Sequence, residues 1–240
     1  MRKETVTGFA TDLGSKTSHT AIMARALEIP AVVGLHDISV RVSEQDQVLI
    51  DGNRGIVVIN PSIECLERYG EIARTQELIR VQLGRLKDTE AETVDGYIVP
   101  ITANIELPSE ISSVFEHGCR GVGLFRTEFL YLQQQRLPTE DEQERAFVEV
   151  ASSMEPNVVV LRTLDLGGDK FMSLMKTPQE MNPFMGWRAI RYCLAQKPVF
   201  MTQLRAILKA SRYSNVKIMY PMISNVGEVI QANELLEEAK

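Results

Sequence analysis

Apolar positions follow two different rhythms along the chain. In residues 1–60 they come as short runs: Val6-Thr7-Gly8-Phe9-Ala10, Ile29-Pro30-Ala31-Val32-Val33-Gly34, Val48-Leu49-Ile50 and Ile56-Val57-Val58-Ile59. Brief β-branched runs of this kind read as strands. The last two flank Asp51-Gly52-Asn53-Arg54-Gly55, a strong hairpin turn. After Pro61 the period lengthens. Ile63, Leu66, Ile72, Ile79, Leu83 and Leu86 keep a helical stripe, with Glu, Arg and Gln between them, to about residue 88. Lys87-Asp88-Thr89-Glu90-Ala91-Glu92-Thr93 is charged and polar, which makes it a natural boundary and a solvated surface. From residue 95 strand patterns at Tyr97–Ile105, Gly121–Phe125, Val158–Leu161 and Val216–Tyr220 alternate with helical ones near 109–117, 140–154, 183–195, 199–213 and 226–239. Four such repeats predict a parallel α/β sheet. The first half of a (β/α)8 barrel and an open doubly wound sheet fit the pattern equally.

Candidate chemistry begins at Gly14-Ser15-Lys16-Thr17-Ser18-His19-Thr20, which leads into Ala21-Ile22-Met23-Ala24-Arg25-Ala26-Leu27. Thr17 and Ser18 are good N-cap residues, and Ile22, Met23, Ala26 and Leu27 share one helical face. His19 therefore falls in a first helical turn, where free N–H groups and the macrodipole favour an anion. Imidazole there can accept a phosphoryl group. The competing reading, which these residues alone favour, is a histidine that only packs or hydrogen-bonds.

A second set of candidates lies in the β/α region. Arg126 follows Gly121-Val122-Gly123-Leu124-Phe125, and Arg162 follows Val158-Val159-Val160-Leu161, so each stands where an apolar strand runs out. Functional groups cluster at strand carboxyl ends in such folds. Two arginines at one mouth form a forked clamp for phosphate and carboxylate; the competing reading is a pair of surface ion pairs. Thr163-Leu164-Asp165-Leu166-Gly167-Gly168-Asp169-Lys170 continues from Arg162, its glycines allowing close approach to a ligand and Lys170 adding a donor. Asp165, Asp169 and Glu128 are read as groups that orient neighbouring cations rather than hold metal.

These motifs resemble one family. Gly14–Arg25 resembles the phosphohistidine signature of the Enzyme I family of the phosphoenolpyruvate-dependent sugar phosphotransferase system, with Ser15 where that family usually has a second glycine. Gly121-Val122-Gly123-Leu124-Phe125-Arg126-Thr127-Glu128-Phe129-Leu130, Arg162–Lys170 and Asn182-Pro183-Phe184-Met185-Gly186-Trp187-Arg188-Ala189-Ile190-Arg191 are similar to it as well. Pyruvate phosphate dikinase and phosphoenolpyruvate synthase carry looser forms, and a relative of that type is the alternative. The resemblance implies residues 1–60 as a partial phosphohistidine swivelling domain, 61–94 as a linker helix and 95–240 as the N-terminal half of a phosphoenolpyruvate-binding barrel. It implies His19 as the phosphorylated nucleophile, Arg126 and Arg162 as substrate-binding, and Arg188 and Lys170 as further pocket groups. Trp187 reads as core, and His36 as a loop residue. The implied activity moves phosphate from phosphoenolpyruvate to His19 and then to a histidine of the phosphocarrier HPr. Mg2+ is the implied cofactor and a homodimer the implied full-length state. The family's metal ligands are expected beyond Lys240, which makes the chain a partial product, a non-catalytic phosphoenolpyruvate-binding fragment by another reading, and one that does not take phosphate directly from phosphoenolpyruvate.

Composition narrows this further. A net charge of −6 without a basic block argues against nucleic acid. No apolar run is long enough to span a bilayer, and the N-terminus has no signal-peptide pattern. Cys65, Cys119 and Cys193 lack paired spacing, which suits a reducing cytoplasm and no structural zinc.

Overall fold

The computed structural model describes residues 6–15, 21, 24, 29–132, 136–166 and 186–240. His19, Asp169 and Lys170 lie outside the described residues. Two units divide at residues 83 and 84.

In the first unit β1 (Phe9–Thr11) pairs in parallel with β2 (Ala31–Val33). Ala21 and Ala24, between them in sequence, are helical, and the Ile29 N–H donates to the Ala24 carbonyl at 2.9 Å. A short helix, α1 (Ile38–Arg41), follows β2. The expected hairpin is present: β3 (Val48–Asp51) runs antiparallel to β4 (Ile56–Ile59), with Asp51 opposite Ile56. Asp51 closes the turn by accepting from the Asn53 and Arg54 N–H groups at 3.1 and 3.0 Å, an Asx turn that spares those donors from solvent. The long helix, α2 (Ile63–Gly84), forms where the stripe placed it. No residue of it is buried, and Leu78, Val81 and Leu83 stand exposed.

The second unit carries a four-stranded sheet: β5 (Ala103–Ile105), β6 (Val122–Arg126), β7 (Val159–Arg162) and β8 (Val216–Met219). All neighbours are parallel and their order follows the sequence, β5-β6-β7-β8. A doubly wound sheet reverses its strand order at a switch point, and this one does not. Barrel-type winding is the geometry observed. Around the strands come a 3-10 turn at Pro108–Glu110, α3 (Ile111–Glu116), α4 (Glu128–Leu132), α5 (Glu140–Met154), α6 (Ala189–Ala195), α7 (Lys197–Ala210) and α8 (Val226–Ala239). Thr139 caps α5: its Oγ1 accepts from the Glu142 N–H, while the Glu142 carboxylate accepts from the Thr139 N–H. That reciprocal pair satisfies two orphan donors.

Besides the short helix α1, which the sequence reading did not include, three elements differ from it. The first strand begins at Ala103, not Tyr97, because Asp95-Gly96 turns the chain, with Gly96 at φ 84° and the Val99 N–H donating back to Ala91 at 2.7 Å. Tyr97, Ile98 and Val99 are exposed as a result. The helix expected from residue 183 begins at Ala189, since Arg188 is extended at φ −149° and ψ 172°. Helix α4 was not anticipated; five residues are too few to show a period.

The core fills the space between the sheet and α5 and α7. Val122, Phe125, Val159 and Leu161 pack on Phe147, Val150, Met154 and Ile207, with Phe125 and Phe147 edge to face at 6.1 Å. Burying side chains of this size stabilises by roughly 1.5–3 kcal/mol each. A second cluster, Tyr131, Leu164, Ile190, Phe200 and Leu204 with Leu235, lies beyond the strand carboxyl ends and supports the loops that leave them.

Candidate active site

The sheet register sets the site. Arg126 is the last residue of β6 and Arg162 the last of β7, and the two are directly paired across the strands. Parallel neighbours lie about 4.8 Å apart, so their side chains leave one edge of the sheet side by side. The sequence argument placed both arginines at strand ends; the ladder brings them together.

Each guanidinium is already held by a carboxylate. Arg126 donates to Glu106 Oε1 at 2.7 Å, and Glu106 is the first residue beyond β5. Glu106 is itself held in place: its N–H and that of Leu107 both donate to Glu110 Oε2 at 2.7 Å. Arg162 donates to Glu128 Oε1 at 2.6 Å and faces Asp165 Oδ2 at 3.1 Å. The other oxygen of Asp165 accepts from Arg188 at 2.9 Å. One carboxylate thus bridges Arg162 and Arg188, bringing the third predicted arginine into the same cluster. Burial differs along it: the Arg126 side chain is 43 % exposed and that of Arg162 18 %. Arg126 is the part of the cluster open to an arriving anion.

Electrostatics at Glu128 run against the short ion pair. Burial pushes its carboxyl above the ordinary glutamate range, and the attraction of Arg162 recovers only part of that shift. Glu128 Oε2 and Arg162 Nε are buried without a hydrogen-bond partner. A buried charged group with unused capacity is costly, and it is where a ligand can gain binding energy. Cys193, behind the Leu164 carbonyl, is pushed up to about 12 by burial and by the nearby Asp165 charge, so it is no nucleophile.

Glu106, Arg191 and Gln203 were missed by the sequence reading. Glu106 stands at a strand end as the arginines do, directly after Ile105, and that position is the signal that marks it. Arg191 donates to the Gly186 and Met222 carbonyls at 2.9 and 3.2 Å and sits 3.9 Å from Glu228, tying α6 to the loop after β8. Trp187, expected in the core, is 37 % exposed, against the edge of Tyr192. His36 is a loop residue as read, its N–H donating to the Asp12 carbonyl at 2.8 Å. In the first unit a groove of 1170 Å3 runs past Ala24, Val32, Leu49, Leu66 and Tyr69. Among the described residues its walls offer no cationic side chain, and the arginine cluster is the candidate anion site argued from geometry.

Residues 80–240 match the PEP-binding domain of the PEP-utilising enzymes, and residues 1–55 match the mobile domain of the same group. The chain belongs to the PEP-utilising enzymes. It is 45 % identical over all 240 residues to a phosphoenolpyruvate-protein phosphotransferase of Staphylococcus aureus strain MSSA476. It is 46 % identical over the same span to proteins of that name from Listeria monocytogenes and Staphylococcus carnosus. In each case it covers 42 % of the relative's length. A solution structure of an Enzyme I protein aligns over 32 % of this chain and 31 % of that one, at 53 % identity and a TM-score of 0.31.

Proposed function

We propose that this chain carries the acceptor histidine and the arginine clamp of a phosphoenolpyruvate-protein phosphotransferase. The observation that carries the reading is the register pair Arg126–Arg162 at adjacent strand ends, with Arg188 joined through Asp165. In this reading residues 1–60 are part of a mobile phosphohistidine domain, 61–94 a linker and 95–240 half of a phosphoenolpyruvate-binding barrel. Phosphoenolpyruvate bears a phosphate and a carboxylate, and guanidinium groups bind both as planar, bidentate donors. An arriving anion exchanges with Glu106 and Glu128, which hold the guanidiniums in place until then. As the phosphoryl group leaves, Arg126 and Arg162 stabilise the charge on its equatorial oxygens. His19 forms a bond to phosphorus as the bond to the enol oxygen breaks and enolpyruvate leaves to become pyruvate, and it then passes the group to a histidine of a small carrier of the HPr kind; Lys170 adds a further donor. A cytoplasmic setting goes with this chemistry, and among the described residues no helix is long and apolar enough to cross a membrane.

Magnesium, which the family implies, does not fit the described residues. No group of three or more metal-ligating side chains occurs among them, and Glu106, Glu128 and Asp165 are each engaged by an arginine. No step here runs through the metal. The same observation favours a second reading, a chain that binds phosphoenolpyruvate but does not turn it over.

Phosphohistidine mapping separates these readings. The purified chain is incubated with labelled phosphoenolpyruvate and magnesium, and in parallel with a phosphorylated carrier. Label on His19 from the carrier, and none from phosphoenolpyruvate within minutes, is the expected result. Label on His36 or His117 overturns the assignment. In a transfer-competent full-length homologue, alanine at the position of Arg126 or Arg162 costs roughly 2–4 kcal/mol in kcat/KM, and lysine does not fully restore it.

A further inference from the structure

Gln203 lies on α7 among Phe200, Leu204, Ala206 and Ile207 and is 1 % exposed. An amide buried on an apolar helix face is costly unless both its ends are hydrogen-bonded. Both are, and neither bond is local. Oε1 accepts from the Leu164 N–H at 2.9 Å, and Nε2 donates to Thr127 Oγ1 at 3.1 Å. The Thr127 hydroxyl donates onward to the Arg162 carbonyl at 2.9 Å. Thr127 is the residue after Arg126, and Leu164 is two residues after Arg162.

The placement matters because the β6–β7 ladder ends here. Arg126–Arg162 is its last register pair. Past that point β7 is held to β8 by the Thr163 N–H donating to the Met219 carbonyl at 3.0 Å. Two links run back toward β6: the Arg162–Glu128 ion pair between side chains, and the chain from Gln203 through Thr127 to the Arg162 backbone. The segments it ties carry Arg126 and Glu128 on one side and Arg162 and Asp165 on the other. A leucine or methionine would fill the same volume in an apolar cluster, so packing alone does not call for an amide at this position.

We propose that Gln203 is a positioning residue that sets the spacing of the Arg126 and Arg162 guanidiniums for an anion bearing both phosphate and carboxylate. The proposal deepens, and rests on, the reading of the strand ends as a phosphoenolpyruvate pocket. Gln203 touches no substrate. It acts through the backbone that the arginines stand on, in a site where displacements well under an ångström cost affinity.

The test uses the 240-residue chain and the variants Gln203→Leu and Gln203→Glu. Three quantities are measured: the Nε–Hε NMR resonances of the arginines, phosphoenolpyruvate affinity by calorimetry at several pH values, and the thermal midpoint. In Gln203→Leu the Leu164 N–H loses its acceptor. The Arg126 and Arg162 resonances then shift, those of Arg41 and Arg54 in the first unit do not, and affinity falls about tenfold. In Gln203→Glu the neutral acid reproduces both bonds, whereas the ionised form cannot donate to Thr127. Its affinity deficit against wild type therefore shrinks as pH falls. Charged groups on the tied segments are Arg126, Glu128, Arg162 and Asp165; taking the ratio to wild type at each pH cancels their titration and that of the ligand.

A core-filling role lowers the thermal midpoint but gives neither the resonance shifts nor the pH profile. Unmoved arginine resonances in Gln203→Leu, or a Gln203→Glu deficit flat with pH, overturn the proposal. Should Gln203→Leu not fold, Gln203→Glu decides alone. A wild-type chain that binds no phosphoenolpyruvate overturns the pocket reading instead, and the resonances still judge the positioning.

Discussion

Removing the bridging carboxylate by Asp165→Ala tests the charge arrangement most directly. Asp165 is 10 % exposed and accepts Arg162 at 3.1 Å and Arg188 at 2.9 Å. At these distances each attraction is about 5 kcal/mol in an effective dielectric near 20, before desolvation cancels most of it. The net loss is unequal. Arg162 keeps Glu128 at 2.6 Å, while the bond from Arg188 to Asp165 is lost. Breaking two charged hydrogen bonds in a largely buried place puts the destabilisation at about 1.5–3 kcal/mol, a large share of the ~5–15 kcal/mol typical of a domain. The variant should therefore unfold at a clearly lower urea concentration in phosphate-free buffer. Inorganic phosphate at ten times its dissociation constant should then return about 1.4 kcal/mol, and more to the variant than to wild type, because the carboxylate that competes for Arg162 and Arg188 has been removed. Asp165→Asn, which keeps an acceptor oxygen, should lie between. The Cys193 thiol should titrate lower in the alanine variant, since Asp165 is the second cause of its rise after burial. An unchanged urea midpoint in Asp165→Ala, or equal rescue of both proteins by phosphate, refutes the shared-carboxylate account.

Glu128→Gln tests the sign of a pKa shift. Because burial raises the folded-state value, wild type is favoured below about pH 4.3 and loses that advantage as pH rises through the raised value. The glutamine variant should gain on wild type over that interval in urea melts; a wild type that pulls ahead as pH rises shows that Arg162 outweighs burial. Gly121→Ala places a Cβ about 2.8 Å from the Val158 carbonyl at a backbone φ of 139°, which no L residue adopts without strain. A loss of roughly 1–3 kcal/mol is expected, and an unaltered melt shows that β6 can move away from β7 freely. Thr139→Ala removes the bond from Thr139 Oγ1 to the Glu142 N–H and should cost about 1 kcal/mol by chemical denaturation, a cost absent if α5 simply re-caps with water.

What the sequence disclosed and what it hid divide along one physical line. Period and turn chemistry are local, so the hairpin at Asp51–Gly55, the long helix after Pro61 and the four β/α repeats were legible, as was the position of each arginine at a strand end. Glu128 and Asp165 were legible as groups that orient a neighbouring cation, and both meet Arg162; Glu106, and which arginine each acid meets, were not, because an ion pair leaves no mark at fixed spacing. Glu106 meets Arg126 across 20 residues, Glu128 meets Arg162 across 34, and Gln203 reaches Thr127 across 76. Tyr97–Ile101 misled for the complementary reason. Their β-branched and aromatic character is local, but the turn at Asp95-Gly96 and the neighbours that leave them exposed are not. Asp165 was read as orienting a cation rather than holding metal, and its two distances to guanidinium groups choose that role. That choice changes the chemistry expected of the site. A bare cluster of arginines would attract any anion, whereas arginines already paired with carboxylates bind one only by the difference between the new contacts and the old. A ligand with two anionic groups can replace two carboxylates at once. A singly anionic ligand replaces one and leaves the other in competition, so in the proposed reading the ion pairs that fill the site also make it selective for a doubly anionic molecule.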